Sequence, residues 1–260
     1  MPNGFPFHLH SQPFDWAQLL AHPLVLAAAF FIVVLAFFVR AAIGFGSGLI
    51  SVALLSELFP IKQVVPVVLL LDIIAPFYLG VYDLHELRRD ELMALLPASL
   101  AGLALGSLVL ARTDAQSLTT FLGIFILAYV AYALLLRPER LPQISRRWAW
   151  PLGTLGGVIG SLYGGGGPPI VAYLQMRHLD KRAFRATFQA IALVDNLLRA
   201  VMYLLLGLLN LALGAVFLAL APAALLGLYV GNHLHFRIPH RAFLYATLAV
   251  LTGVGLKYLT

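Results

Sequence analysis

Residues 161–175 read SLYGGGGPPIVAYLQ, four consecutive glycines and then two prolines inside one of the most apolar parts of the chain. Positions 148–176 carry no Asp, Glu, Lys or Arg. As one straight helix this run would reach about 43 Å at 1.5 Å per residue, well beyond a hydrocarbon layer of about 30 Å. Glycine costs about 1 kcal/mol and proline about 3 kcal/mol at an interior helix position. Residues 164–169 therefore interrupt the helix and leave two arms, 148–163 and 170–176. Arg137, Arg140, Arg146 and Arg147 precede the run, and Arg177, Lys181, Arg182 and Arg185 follow it. Positive charge marks cytoplasmic loops, so the broken segment is expected to enter and leave on the same side, as a re-entrant hairpin.

The remainder of the chain supports a membrane reading. Of 260 residues, 61% are hydrophobic and 11% charged, against about 25% charged in a soluble domain. Residues 92–111, 115–136 and 200–232 are also free of charge, each long enough to span as a helix. None alternates as a barrel strand would. The fold class expected is thus an all-α integral membrane bundle. The net charge of +6 comes from short basic clusters between apolar runs rather than from a nucleic-acid-binding face, so no nucleic-acid partner is expected. The absence of cysteine excludes disulfides, thiolate nucleophiles and zinc knuckles. No metal or cofactor site is read; His8 and His10 lie on a terminal tail and are read as bystanders. Met1 to His22 contains no Lys or Arg, unlike a cleaved signal peptide.

Apolar segments fall at 24–39, 41–56, 63–82, 92–111, 115–136, 148–176, 186–206, 211–231 and 242–259. Carrying the cytoplasmic assignment along them puts the uncharged turn 207–210 outside, the Arg237 and Arg241 loop inside and the start of 63–82 outside. The first broken region then opens on the face opposite to the second. A repeat agrees with this. LPASLAGLALGSLVLAR, ending at Arg112, matches APAALLGLYVGNHLHFR, ending at Arg237, with Pro97, Gly102, Gly106 and Arg112 each 125 positions before their counterparts Pro222, Gly227, Gly231 and Arg237. Upstream, GSGLISVALL (46–55) corresponds to GGGPPIVAYL (165–174), and Asp72 corresponds to Asp195. The chain divides into a tail (1–23), a first transmembrane repeat (24–137), a cytoplasmic connecting loop (138–147) and a second repeat (148–260). Each repeat is expected to hold a broken or re-entrant helix plus three spanning helices. An odd number of crossings per half makes the halves inverted.

Inverted halves with matching helix breaks point to a secondary transporter with its site near the midplane. Non-helical backbone at that depth must face protein or a cavity. A half-helix starting after each break offers free N–H groups and partial positive charge to an anion. The expected substrate contacts are Gly44, Gly46, Ser47 and Gly48 in the first half, and Gly164, Gly165, Gly166, Gly167 and Pro168 in the second. Gln189 and Asn196 add hydrogen-bonding groups, as could Ser161, Tyr163, Tyr173 and Gln175. Ionisable groups inside apolar segments are functional candidates by default: Arg40, Asp72, Asp195 and Arg199, read as coupling or charge residues. Asp195 and Arg199, four apart on one helix, are expected to pair, whereas Asp72 stands without a neighbour and reads as a proton relay. Arg40 either faces the anion or reaches to the interface. Gly102-x-x-x-Gly106 and Gly227-x-x-x-Gly231 read as packing surfaces, and the cluster from Asp83 to Glu91 as a solvated loop.

With GFGSGLISVALL, GGGGPPIVAYL and the duplicated proline-glycine motif in view, the chain resembles the sulfite exporter TauE/SafE family over residues 24–259. That resemblance implies a multi-pass transporter in the bacterial inner (cell) membrane. It also implies export of a small sulfur-containing or organic anion such as sulfite or a sulfonate, with proton exchange. Where proline follows the second glycine block, the first has Gly48-Leu49-Ile50, so the first break is expected to be less rigid. The lipid bilayer surrounds the protein, and its small-residue faces would allow a homodimer. The competing reading is an intramembrane aspartyl protease using Asp72 and Asp195, whose contexts LLLD and LVDN lack the motifs of such enzymes; a channel would share the helix breaks.

Overall fold

The computed structural model describes residues 22–80, 84–135, 142–164, 166–234 and 240–259. Among these the secondary structure is helical: α1 (Pro23–Ile43), α2 (Ser47–Leu55), α3 (Ile61–Gly80), α4 (Arg89–Arg112), α5 (Ala115–Leu135), α6 (Ala149–Tyr163), α7 (Gly167–Met176), α8 (Lys181–Leu205), α9 (Leu211–Leu234) and α10 (His240–Lys257). Helices satisfy every backbone group within one segment, which hydrocarbon requires. Six are long and apolar enough to cross a membrane: Pro23–Ile43, Ile61–Leu79, Arg89–Arg112, Ala115–Leu135, Lys181–Leu205 and Leu211–His233. The first broken segment differs from its expected form. Segments 24–39 and 41–56 do not divide at Arg40, because α1 runs through it and ends only where Gly44 turns left-handed at φ 102°. With 21 residues α1 is long enough to span, while its counterpart α6 has 15. The loops carrying Arg137, Arg140 and Arg237, the tail with His8 and His10, Asp83 and Gly165 lie outside the described residues.

The repeated glycines are contact surfaces. A Cβ on Gly102 would stand 2.0 Å from the Thr154 carbonyl oxygen, and one on Gly106 2.6 Å from that of Val158, so α4 meets α6 backbone to backbone. In the other half, Gly227 and Gly231 of α9 bring the Val34 and Phe38 carbonyls of α1 within 2.4 and 2.6 Å of the same imagined atom. Each broken hairpin thus packs on the glycine helix from the other half of the sequence, in the same register. Without a hydrophobic force between helices in lipid, this close approach supplies the dispersion energy that holds them.

The two hairpins close at different ends of α4. Near its N-terminus, Arg146 pairs with Asp90, and the Ile144 N–H donates to the Met176 carbonyl at 3.1 Å, joining the start of α6 to the end of α7. Near its C-terminus, the Lys62 ammonium reaches the Ala111 carbonyl at 3.5 Å. Helix α10 ends beside α2 and its following turn, where Lys257 pairs with Glu57 and the Tyr258 hydroxyl donates to the Ala53 carbonyl at 2.7 Å. The cluster expected to be a solvated loop is partly structural. Glu91 begins α4, is 2% exposed, and accepts from the Tyr173 hydroxyl at 2.5 Å and from Arg177 Nε at 2.9 Å. That hydrogen bond raises Arg177 above its ordinary pKa. Asp180 caps α8, accepting from the N–H groups of Arg182 and Ala183, both at 3.0 Å, a contribution typically near 1 kcal/mol.

Candidate functional site: a charged cavity between two helix breaks

Helix α8 carries its polar residues inward. Gln189, Asn196 and Arg199 are buried, while Leu197, Val201, Leu204 and Leu205 are exposed. In water this would be inverted; in a bilayer it marks a helix whose polar face lines a protein interior. It faces α3, whose Asp72 lies between Pro66 and Pro76, and together with both breaks it encloses a cavity of about 80 Å³. At roughly 10–15 Å³ for a single water, the space suits a solute of a few heavy atoms.

The breaks themselves meet. Gly44, Gly46 and Gly164 hold φ of 102°, 103° and 66°, left-handed conformations that glycine alone adopts cheaply. A Cβ on Gly48 would fall 1.8 Å from the Gly164 carbonyl oxygen. Ser47, Gly48, Gly167 and Pro168, read as part of the breaks, are instead the first residues of α2 and α7. Neither helix has a side-chain N-cap, so first-turn N–H groups of α2 have no side-chain acceptor. Pro168 and Pro169 occupy the first turn of α7, but proline has no N–H. The second cradle therefore offers fewer backbone donors than four glycines imply. Gly166 is also a packing residue, for its Cβ would meet the Gly156 carbonyl oxygen at 2.5 Å.

Guanidinium groups make up the difference. Arg40 is 5% exposed and does not reach toward an interface. Its Nη1 donates to Ser47 Oγ at 3.1 Å and to Asp72 Oδ1 at 3.3 Å, and its Nη2 to Gln189 Oε1 at 3.4 Å. Ser47 donates to Asp72 Oδ1 at 2.5 Å. Asp72, read as standing without a neighbour, is thus ion-paired across 32 positions of sequence, a contact no local spacing discloses. Gln189 also donates to the Gly44 carbonyl at 3.1 Å, tying α8 to the first break.

Asp195 and Arg199 do not form the expected pair. Arg199 is 3% exposed and turns to the Gly160 carbonyl and, at 3.0 Å, to Asn196 Oδ1. Asn196 donates to the Asp72 backbone carbonyl at 3.1 Å. Asp195 instead accepts from Ser99 Oγ of α4 at 2.9 Å. The i, i+4 spacing allows a contact but does not compel one when better partners lie across the cavity. Nε of both Arg40 and Arg199 is buried with no hydrogen-bond partner among the described residues, and each such group costs about 1–3 kcal/mol unless a ligand takes it up. The two carboxylates have separate partners, which does not fit a dyad sharing one proton.

Of the residues singled out in sequence, Arg40, Gly46, Asp72, Ser161, Gly164, Gly166, Gly167, Pro168, Asp195, Asn196 and Arg199 line the cavity. Ser47 and Gln189 touch it through Arg40, Gly44 sets the turn, and Gly48 spaces the breaks. Sequence reasoning missed Phe188 and Tyr129 in the lining, since aromatic residues in apolar runs carry no signal of their own. It also missed Ser99, which a comparison of the repeats could have found, because the position 125 residues later is Ala224.

Buried arginines and carboxylates around broken helices, inside a membrane bundle, define a membrane transporter. A family model described as sulfite exporter TauE/SafE matches residues 29–258, and the chain belongs to that family. Among curated proteins it is similar to the "Probable inner membrane transporter protein TsaS" of Comamonas testosteroni, 26% identical over 192 residues, covering 73% of this chain and 80% of that protein. No solved structure matches the chain.

Proposed function

We propose that the protein carries a small oxyanion, sulfite or a sulfonate, across the bacterial inner (cell) membrane by alternating access, coupled to protons. The observation that carries this reading is the meeting of both glycine breaks at one cavity where two buried guanidiniums each keep an unpartnered Nε. A planar guanidinium binds oxyanions in two-point fashion. Backbone N–H groups at the start of α2 add donors without adding a full charge. The family and the inner-membrane relative support the location and the substrate class. The halves act as an inverted pair, so that the cavity opens to one face at a time. The boundaries 24–137 and 148–260 mark these halves.

Calorimetric titration of the detergent-purified protein with sulfite, sulfoacetate, taurine and choline tests the reading. Saturable binding of a sulfur anion, weakened about tenfold or more in Arg199→Gln by loss of a charge-assisted contact, is the expected result. Gly167→Leu, whose Cβ first meets the Phe45 side chain at 3.2 Å, should fill the cavity and abolish binding. Binding of no anion, or binding indifferent to both substitutions, would place the site elsewhere.

A further inference from the structure

We infer that Asp195, and not the ion-paired Asp72, is the group that takes up the transported proton, and that Ser99 is the switch that accommodates it. This rests on the transporter reading above.

Hydrogen-bond bookkeeping separates the two carboxylates. Asp72 Oδ1 receives donors from Arg40 Nη1 and Ser47 Oγ, and Ser47 Oγ itself accepts from Arg40 Nη1. The single Ser47 proton is committed to Asp72, because its oxygen already faces the arginine. A proton on Asp72 Oδ1 would point donor against donor, and one on either oxygen would deprive Arg40 of the counter-ion it contacts in a buried site, which is costly. Asp72 therefore stays a carboxylate.

Asp195 has the opposite arrangement. Its partner Ser99 Oγ lies 2.9 Å from Asp195 Oδ1 and 3.1 Å from the Leu96 carbonyl oxygen. A hydroxyl has one proton to donate and lone pairs to accept, so Ser99 serves one acceptor at a time. With Asp195 ionised, Ser99 donates to it. When a proton from water bonds to the carboxylate, the new O–H donates to Ser99 Oγ and the serine proton rotates to Leu96. Ser99 Oγ and Asp195 Oδ1 remain hydrogen-bonded to each other in both states, and no contacting ion pair is broken.

Charge balance states when the proton is needed. The charged groups facing the cavity are Arg40 from α1, Asp72 from α3, and Asp195 and Arg199 from α8; Tyr129 from α5 is the further titratable group, and α2, α4, α6, α7 and α10 present uncharged residues to it. Two positive and two negative groups sum to zero. An entering anion adds negative charge to a low-dielectric site, and protonation of Asp195 cancels one unit of it. One proton then moves with each anion carried, in the same direction, in place of the exchange expected from sequence.

The test uses proteoliposomes holding a pH-sensitive dye, with an inward gradient of sulfoacetate and, separately, of sulfite. Wild type should acidify the lumen as anion enters. In Asp195→Asn the proton-to-anion ratio should fall to the leak level while anion counterflow persists at a reduced rate, and Asp195→Glu should restore the ratio. Ser99→Ala should shift the pH midpoint of acidification, which keeps the inference open to test if Asp195→Asn does not fold. No flux of either anion in wild type would overturn the transport reading and this inference with it. Anion flux without acidification, acidification surviving in Asp195→Asn, or a midpoint unmoved by Ser99→Ala would overturn the inference alone.

Discussion

At the scale of single residues, the ion pair between Arg40 and Asp72 is held by one contact at 3.3 Å, with both side chains almost wholly buried. Such a pair adds little net stability, yet removing one partner strands a charge and costs about 3–5 kcal/mol. Arg40→Met should therefore lower the thermal unfolding temperature markedly, and Arg40→Met combined with Asp72→Leu should recover most of the loss. Melting curves of detergent-purified single and double variants measure this; a single variant as stable as the parent would show that the pair does not form. The four ionisable residues at this site were legible because charge inside an apolar run is expensive and therefore conspicuous. Their pairing was not. Arg40 finds Asp72 across 32 positions and Asn196 finds Asp72 across 124, and sequence spacing informs only about neighbours on one helix.

Glycines do two different jobs within the helical elements, which substitution should separate. Gly44 has positive φ and open space around its missing Cβ, whereas Gly48 would place a Cβ 1.8 Å from the Gly164 carbonyl. Gly44→Ala should cost about 1–2 kcal/mol of backbone strain and leave transport measurable. Gly48→Ala should force the breaks apart and abolish transport, even where the protein still folds; equal behaviour of the two variants in unfolding and uptake assays would contradict the contact. Glu91 is a test of a different element. It anchors the end of α7 through Tyr173 and Arg177, so Glu91→Gln should destabilise by about 1–3 kcal/mol, seen as faster proteolysis at the adjoining loop. The existence of the second break could be read from glycine and proline chemistry. Its edges could not, because Gly167, Pro168 and Pro169 fit the first turn of a helix as well as they fit a break. Glu91 was hidden by its neighbours, for five other charged residues between 83 and 90 make the whole stretch look solvated.

Across the whole molecule, packing follows the duplicated motif: α4 lies on α6 as α9 lies on α1, each through a glycine pair. The sequence repeat predicted that these glycines would pack but not that each would serve the opposite half, since identity at a constant offset says nothing about which chain segment lies alongside. Contacts at the two ends of α4 divide the loops into two groups, and positive charge assigns one group to the cytoplasm. Because the chain has no cysteine, single substitutions can report this without background. His22, Ser145, Lys181 and Asn210 are all exposed. His22→Cys and Asn210→Cys should react with a membrane-impermeant maleimide in intact cells, whereas Ser145→Cys and Lys181→Cys should react only after the membrane is opened. Labelling of all four from one side would overturn the inverted arrangement. Labelling of His22→Cys from inside, with the other three as expected, would make α1 and α2 a full crossing rather than a hairpin. In that case the halves would cease to mirror each other, and the glycine breaks would have to be opened by a motion other than the exchange of two equivalent states.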